Sequence, residues 1–168
     1  MLLFAVKISA QQISTVDLQV TGLTCSMCSN ATQKSLETLG FVSSVKPDLN
    51  KNIFVLTFKK GADISLDMVR KKVQDAGFSV GGLVANFDFN QVKVDEKGQA
   101  VIGNSVYRFT NAKNKTLNGP AKVSVIDKDF VSGSAFKKQA PSIDSDAYAS
   151  GMGTVNGKKT RIYHVTIS

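Results

Sequence analysis

An α+β fold in two parts is what this sequence of 168 residues predicts, and three observations carry the prediction. From about Ile13 to Ala85, strand-period and helix-period segments succeed one another in the order β-α-β-β-α-β. Beyond Asn86 the helical spacing disappears. From there to the C-terminus, short apolar runs are broken at close intervals by turn signals. The first pattern is that of the ferredoxin-like unit, two helices on one face of a four-stranded antiparallel sheet. The second implies a small all-β domain. The expected division is a leader over 1–12, the ferredoxin-like domain over 13–86 and the all-β domain over 87–168.

Each element of the first part has its own signal. Val16, Leu18 and Val20 alternate with Asp17, Gln19 and Thr21, a strand with one buried face that ends near Leu23. Ala31, Leu36 and Leu39 then recur at helical spacing, so the first helix is expected from about Cys28, with Gly40 placed for a left-handed stop. Phe41 to Val45 and Ile53 to Phe58 are apolar and β-branched on either side of a turn-forming stretch from Pro47 to Asn52, which predicts a hairpin. Ser65 is a cap for a second helix whose Leu66, Val69, Val73 and Ala76 form one stripe. Gly77 closes that helix, and Phe78 to Val84 supplies the fourth strand.

In the second part, strands are expected over Val92–Asp95, Gln99–Ile102, Ser105–Phe109, Ala121–Asp127, Met152–Val155 and Thr160–Ile167, with turns such as Gly103-Asn104 and Asn156-Gly157 between them. A barrel-like closure, OB-like among its options, leaves few open edges. Residues 140–146 read as a long mobile loop. Tyr107, Phe109, Phe130, Phe136 and Tyr163 stand near Lys and Arg and imitate an oligonucleotide-binding face, but such aromatics more often fill a core, and no nucleic-acid partner is expected.

Formal charge is +8. It is spread: nine Lys and Arg against six Asp and Glu up to Asn86, twelve against seven beyond. A generally basic surface favours acidic partners without marking a nucleic-acid stripe. No apolar stretch approaches the roughly 20 residues of a membrane-spanning helix, so a soluble chain without stable membrane insertion is expected. Leu2 to Val6 followed by Ile8-Ser9-Ala10 reads as the end of a secretory signal, which predicts a periplasmic or secreted protein, cytoplasmic if that reading fails.

The chemistry centres on Thr24-Cys25-Ser26-Met27-Cys28, whose Cys25 and Cys28 are the two cysteines of the chain. So close a pair staples no distant segments together. At a strand-to-helix junction, the unpaired amides and positive dipole end of the helix favour thiolate over thiol. Two thiolates suit a soft, low-coordinate ion, Cu(I) first and Hg(II) second, whereas tetrahedral Zn(II) keeps half its ligands unfilled. A dithiol-disulfide oxidoreductase is the enzymatic alternative, although the Trp and Pro of thioredoxin-like sites are missing. Met27 reads as an outward docking contact, Met68 and Met152 as packing residues, and His164 as a plain strand histidine on the face of Ile162.

Gly22-Leu23-Thr24-Cys25-Ser26-Met27-Cys28 resembles the G-M-T-C-x-x-C signature of heavy-metal-associated domains, a family that includes copper chaperones, N-terminal domains of heavy-metal P-type ATPases and periplasmic mercury-binding proteins. The resemblance covers about half the chain. It implies that Cys25 and Cys28 are the metal ligands, that Gly77-Phe78 lies close to the site, and that the protein is a non-enzymatic carrier of Cu(I). By the same likeness the acceptor is a heavy-metal P-type ATPase or its metal-binding domain. Mercury or general soft-metal sequestration by the same residues is the alternative, with Hg(II) or Zn(II) in place of copper. Two positions depart from the family pattern: Leu23 stands for the usual Met, and Thr32 fills a helix position that is commonly aliphatic.

Overall fold

The computed structural model describes residues 12–168, and the leader reading of residues 1–12 falls, Gln12 apart, outside the described residues. The chain runs β1 (Ile13–Thr21), α1 (Ser26–Glu37), β2 (Val42–Asp48), β3 (Ile53–Phe58), α2 (Leu66–Asp75) and β4 (Ser79–Val94). It continues through β5 (Gln99–Ile102), β6 (Ser105–Phe109), β7 (Lys115–Val125), α3 (Gly133–Gln139), a 3-10 turn (Ala140–Ser142), β8 (Met152–Val155) and β9 (Lys158–Ile167). The first six elements take the strand order β2-β3-β1-β4, all antiparallel, which is the ferredoxin-like unit. Its helices pack by stripes. Leu66, Val69 and Val73 of α2 are fully buried, while α1 buries Ser29, Thr32 and Leu36.

Several expected details are corrected. Ala31 is exposed and Thr32 is buried in its place, because α1 begins earlier than expected and its inward stripe is offset by one residue. Gly40 does not take the left-handed conformation. α1 ends instead at Thr38, whose amide bonds back to the Ser35 carbonyl while the Leu39 amide bonds to Leu36. Gly77 does, at φ +90°, and the bonds Gly77 N–H to Gln74 and Phe78 N–H to Val73 complete a Schellman closure of α2. Met68 is exposed on α2 and packs nothing.

The larger correction concerns β4. Residues 86 and 87, where the composition changes character, lie in the middle of this strand, and the segment expected as a separate strand at Val92–Asp95 is its C-terminal end. The reason is legible afterwards: Val80, Leu83, Ala85, Phe87, Phe89, Val92 and Val94 are all buried along it, and no Gly or Pro interrupts Ala85 to Val94. A bulge between Phe89 and Val92, with Gln91 at φ +48°, bends the strand without ending it. β4 pairs β1 along its first part and β7 along its second, so one sheet runs β2-β3-β1-β4-β7-β9-β6-β5, with β8 on β9. One apolar cluster extends from Val16, Leu56 and Val69 to Phe87, Phe109, Phe130 and Tyr163.

The second half is sheet-rich but not wholly strand. Of the residues 140–146 expected as a mobile loop, 140–142 form the 3-10 turn and follow α3, which Ser132 caps by accepting from the Ala135 amide. A seven-residue helix carries too short a pattern to be seen as periodicity. Four of the five singled-out aromatics, Tyr107, Phe109, Phe130 and Tyr163, are core residues. No helix among the described residues is long and apolar enough to cross a membrane.

The two halves are also joined by polar contacts. Arg161 on β9 forks onto Asp67 in the first turn of α2, Nε to Oδ2 at 2.8 Å and Nη2 to Oδ1 at 3.2 Å. The Tyr163 hydroxyl donates to the same carboxylate at 3.1 Å and accepts from the Asp67 amide. Burial, with the Asp67 charge beside it, pushes Tyr163 up to about 12. Burial pulls the Arg161 pKa down, but bonding to Asp67 and the charge of Asp127 outweigh it and the net shift is upward.

Candidate metal centre

β1 ends at Thr21, and Gly22 takes φ +90°, a conformation that turns the chain from the sheet toward α1. The Phe78 ring lies against this glycine, with Cδ1 3.5 Å from where a Cβ would stand, so Gly77-Phe78 does flank the loop. Leu23, in this loop, is partly buried and packs against the main core. Cys25 is the N-cap of α1. Its backbone is extended (φ −153°, ψ 163°), its carbonyl accepts from the Ser29 amide at 3.2 Å and its Sγ accepts from the Cys28 amide at 3.3 Å.

Cys28 follows in the first turn of α1, so both sulfurs sit at the positive end of the helix, with no acidic residue in that turn. The Cys25 thiol is lowered below the ordinary cysteine value, chiefly by its hydrogen bond with the Cys28 side chain and then by the Cys28 amide. Cys25 is exposed, Cys28 partly so, and both are free of disulfide. The sulfurs stand 2.8 Å apart. At about 2.3 Å per metal–sulfur bond, a tetrahedral angle separates two thiolates by about 3.8 Å and a linear one by about 4.6 Å. Entry of an ion therefore parts the pair, and the exposed Cys25 is the member free to turn.

Among the described residues no group of three or more His, Cys, Asp and Glu is positioned to hold a metal. Met27 is 80% exposed and projects from the helix start. Thr32 is fully buried one turn below, its hydroxyl donating to the Cys28 carbonyl at 3.0 Å, so the departure from an aliphatic residue is satisfied within the helix. His164 lies outside this site in a separate buried network. It is no plain strand histidine, because Ile162 to Val165 are buried on both faces of β9. Strand alternation alone gives no sign of that network, since its members come from three separate segments.

Residues 17–79 match the model of the heavy-metal-associated domain, so the N-terminal half of this chain is a domain of that family. Among solved structures, the yeast copper transporter domain Ccc2a, described in apo and Cu(I)-loaded states, is 29% identical; the match covers 39% of this chain and 88% of that one, with a TM-score of 0.36. A copper-binding domain of HMA7, a P-type ATPase, is 26% identical over 39% of this chain and 88% of that one, with a TM-score of 0.36. The CopZ metallochaperone matches at 21% identity over 40% of this chain and 98% of that one, TM-score 0.37. No curated protein matches the sequence.

Proposed function

We propose that the N-terminal half is a non-enzymatic carrier whose Cys25 and Cys28 capture Cu(I) and pass it to a thiol-bearing acceptor of the heavy-metal P-type ATPase kind. The observation that carries this reading is the pair of free cysteines at an exposed helix start, with no group of three or more His, Cys, Asp and Glu around it among the described residues. Two thiolates match the preference of Cu(I) for soft, low-coordinate sites and leave Zn(II) short of its four ligands. Transfer follows from exposure: an acceptor thiolate reaches the ion from the open side while one of the two sulfurs still holds it. Cys25 leaves first, since it sits in the loop and Cys28 is fixed in α1. Met27, beside the ligands and largely exposed, is the apolar contact for the docking face. Hg(II) meets the same ligand set in the same way, with sequestration as the outcome when no acceptor draws the ion off.

A second reading, dithiol-disulfide exchange, has one observation in its favour: the sulfurs are already within 2.8 Å of each other. One experiment separates the two. Fully reduced protein is titrated anaerobically with Cu(I) against a chromophoric chelator, beside Zn(II), Hg(II) and the Cys25→Ser/Cys28→Ser double variant. One Cu(I) per chain, lost in the double variant, is the expected result. No retention, or retention unchanged in the variant, sinks the carrier reading, and thiol turnover that persists without metal establishes the exchange reading.

A further inference from the structure

Away from the cysteines, three residues of the second half meet in a linear relay. The Ser145 Oγ lies 2.7 Å from His164 Nε2, and His164 Nδ1 lies 2.8 Å from Asp127 Oδ1. Asp127 receives only donors: His164 Nδ1–H on Oδ1, and the His164 amide at 3.1 Å and Arg161 Nη1 at 3.0 Å on Oδ2. An acceptor-only carboxylate fixes the imidazole proton on Nδ1 and leaves the Nε2 lone pair facing the serine hydroxyl. His164 is wholly buried and Asp127 2% exposed, while Ser145 is half-buried at the surface end of the relay. Tyr148 closes the flank of the imidazole edge-on, its own hydroxyl donating to the Ile126 carbonyl.

A nucleophile, a base in hydrogen-bond reach of it, and a third group orienting the base define an activated serine whatever the fold or chain order. A second, independent feature stands beside it. Ser145 opens a turn in which its carbonyl accepts from the Tyr148 amide, and the two amides that follow it, those of Asp146 and Ala147, donate to no acceptor among the described residues. In serine acyl-transfer sites the amide of the residue after the nucleophile is one donor to the acyl oxyanion, and the Asp146 amide stands in that position.

We propose that Ser145, His164 and Asp127 form a nucleophilic serine site that accepts acyl groups from activated esters, independent of the Cys25–Cys28 pair. Ser145 Oγ bonds to the acyl carbon as its proton passes to His164 Nε2, and the departing alcohol carries that proton away. Water, deprotonated by His164, then releases the acid and restores the serine. Asp127 is the positioning residue, acting through the imidazole.

The test is labelling of the full-length protein with a fluorophosphonate, in which the Oγ–P bond forms and fluoride leaves, mapped by peptide mass spectrometry. This probe discriminates against the thiols that complicate ester assays. The expected adduct lies on Ser145 alone, is absent from Ser145→Ala, and disappears from wild-type protein unfolded in urea. In His164→Gln and Asp127→Asn the labelling rate falls by about 100-fold or more. An unchanged circular dichroism spectrum and denaturant midpoint report that these variants are folded, and the urea control stands even where one of them is not. No adduct on Ser145 in the native protein, equal labelling after unfolding, or labelling unchanged in folded His164→Gln overturns the proposal and leaves the relay a structural tie between β9 and the 143–151 segment.

Discussion

Cys25 owes its reactivity to one neighbour more than to the helix as a whole. Because the hydrogen bond from Cys28 is the leading cause of its lowered pKa, Cys28→Ala, which removes the donor, is expected to move the Cys25 alkylation profile up toward that of an ordinary thiol, read as iodoacetamide rate against pH. The direction follows from the linkage: a depressed thiol pKa favours the folded thiolate at pH above the unfolded value, and that advantage is lost as pH falls through the folded value. A profile unmoved by the substitution contradicts the assignment. At Thr32 the buried hydroxyl bonds only to a carbonyl that the helix already uses. Thr32→Val is therefore expected to change stability by less than about 1 kcal/mol and to leave Cu(I) affinity unaltered, measured by denaturant unfolding and chelator competition.

At the scale of elements, two glycines are required for different reasons. Gly77 closes α2 at φ +90° in open space, so Gly77→Ala carries the left-handed backbone cost alone, about 1–2 kcal/mol. Gly98 has φ +83° as well, and a Cβ there runs into the Phe109 carbonyl at the point where the Phe109 amide donates to Gly98. Gly98→Ala is expected to lower the denaturant midpoint more than Gly77→Ala; the reverse order refutes this account of the β4–β5 turn. The cap at Ser65, the α2 stripe and the Gly77 stop were legible because each is a local pattern of a few residues. The Gly40 stop was misread because an alternative carbonyl partner one turn back satisfied Thr38 first.

On the scale of the whole molecule, the shared sheet and the Asp67–Arg161–Tyr163 contacts join the N-terminal half to the rest. Both halves are therefore expected to unfold in one transition, with far-ultraviolet circular dichroism and a tyrosine signal from Tyr163 coinciding; two separated transitions count against a common core. Asp67→Ala leaves Arg161 partly buried without its fork, at a cost of about 2 kcal/mol, between the values for exposed and buried pairs. Tyr163 and Tyr148 are both pushed up to about 12 by burial. Tyrosines in the unfolded chain ionise near 10. Stability is then present below pH 10 and falls as pH rises toward 12, because the unfolded chain has released protons that the folded one retains. Base titration followed by tyrosinate absorbance checks this, and ionisation of these residues before unfolding contradicts it.

What the sequence determined by itself is whatever depends on neighbours along the chain. The β-α-β-β-α-β order, the position of Cys25 and Cys28 at a helix start, and the spans of β5, β6 and β8 all rest on spacing over fewer than about 20 residues. Tertiary structure alone decided the rest. Residue 86 reads as a boundary in composition and is the middle of a strand in space, since pairing with β1 on one side and β7 on the other depends on residues that are remote in sequence. Likewise Ser145, Asp127 and His164 carry no common motif; they meet because β9 runs beside β6 and β7 and draws the 143–151 segment over itself. Hydrogen bonds between distant segments leave no period in the sequence, and so the relay became visible only once the chain was folded.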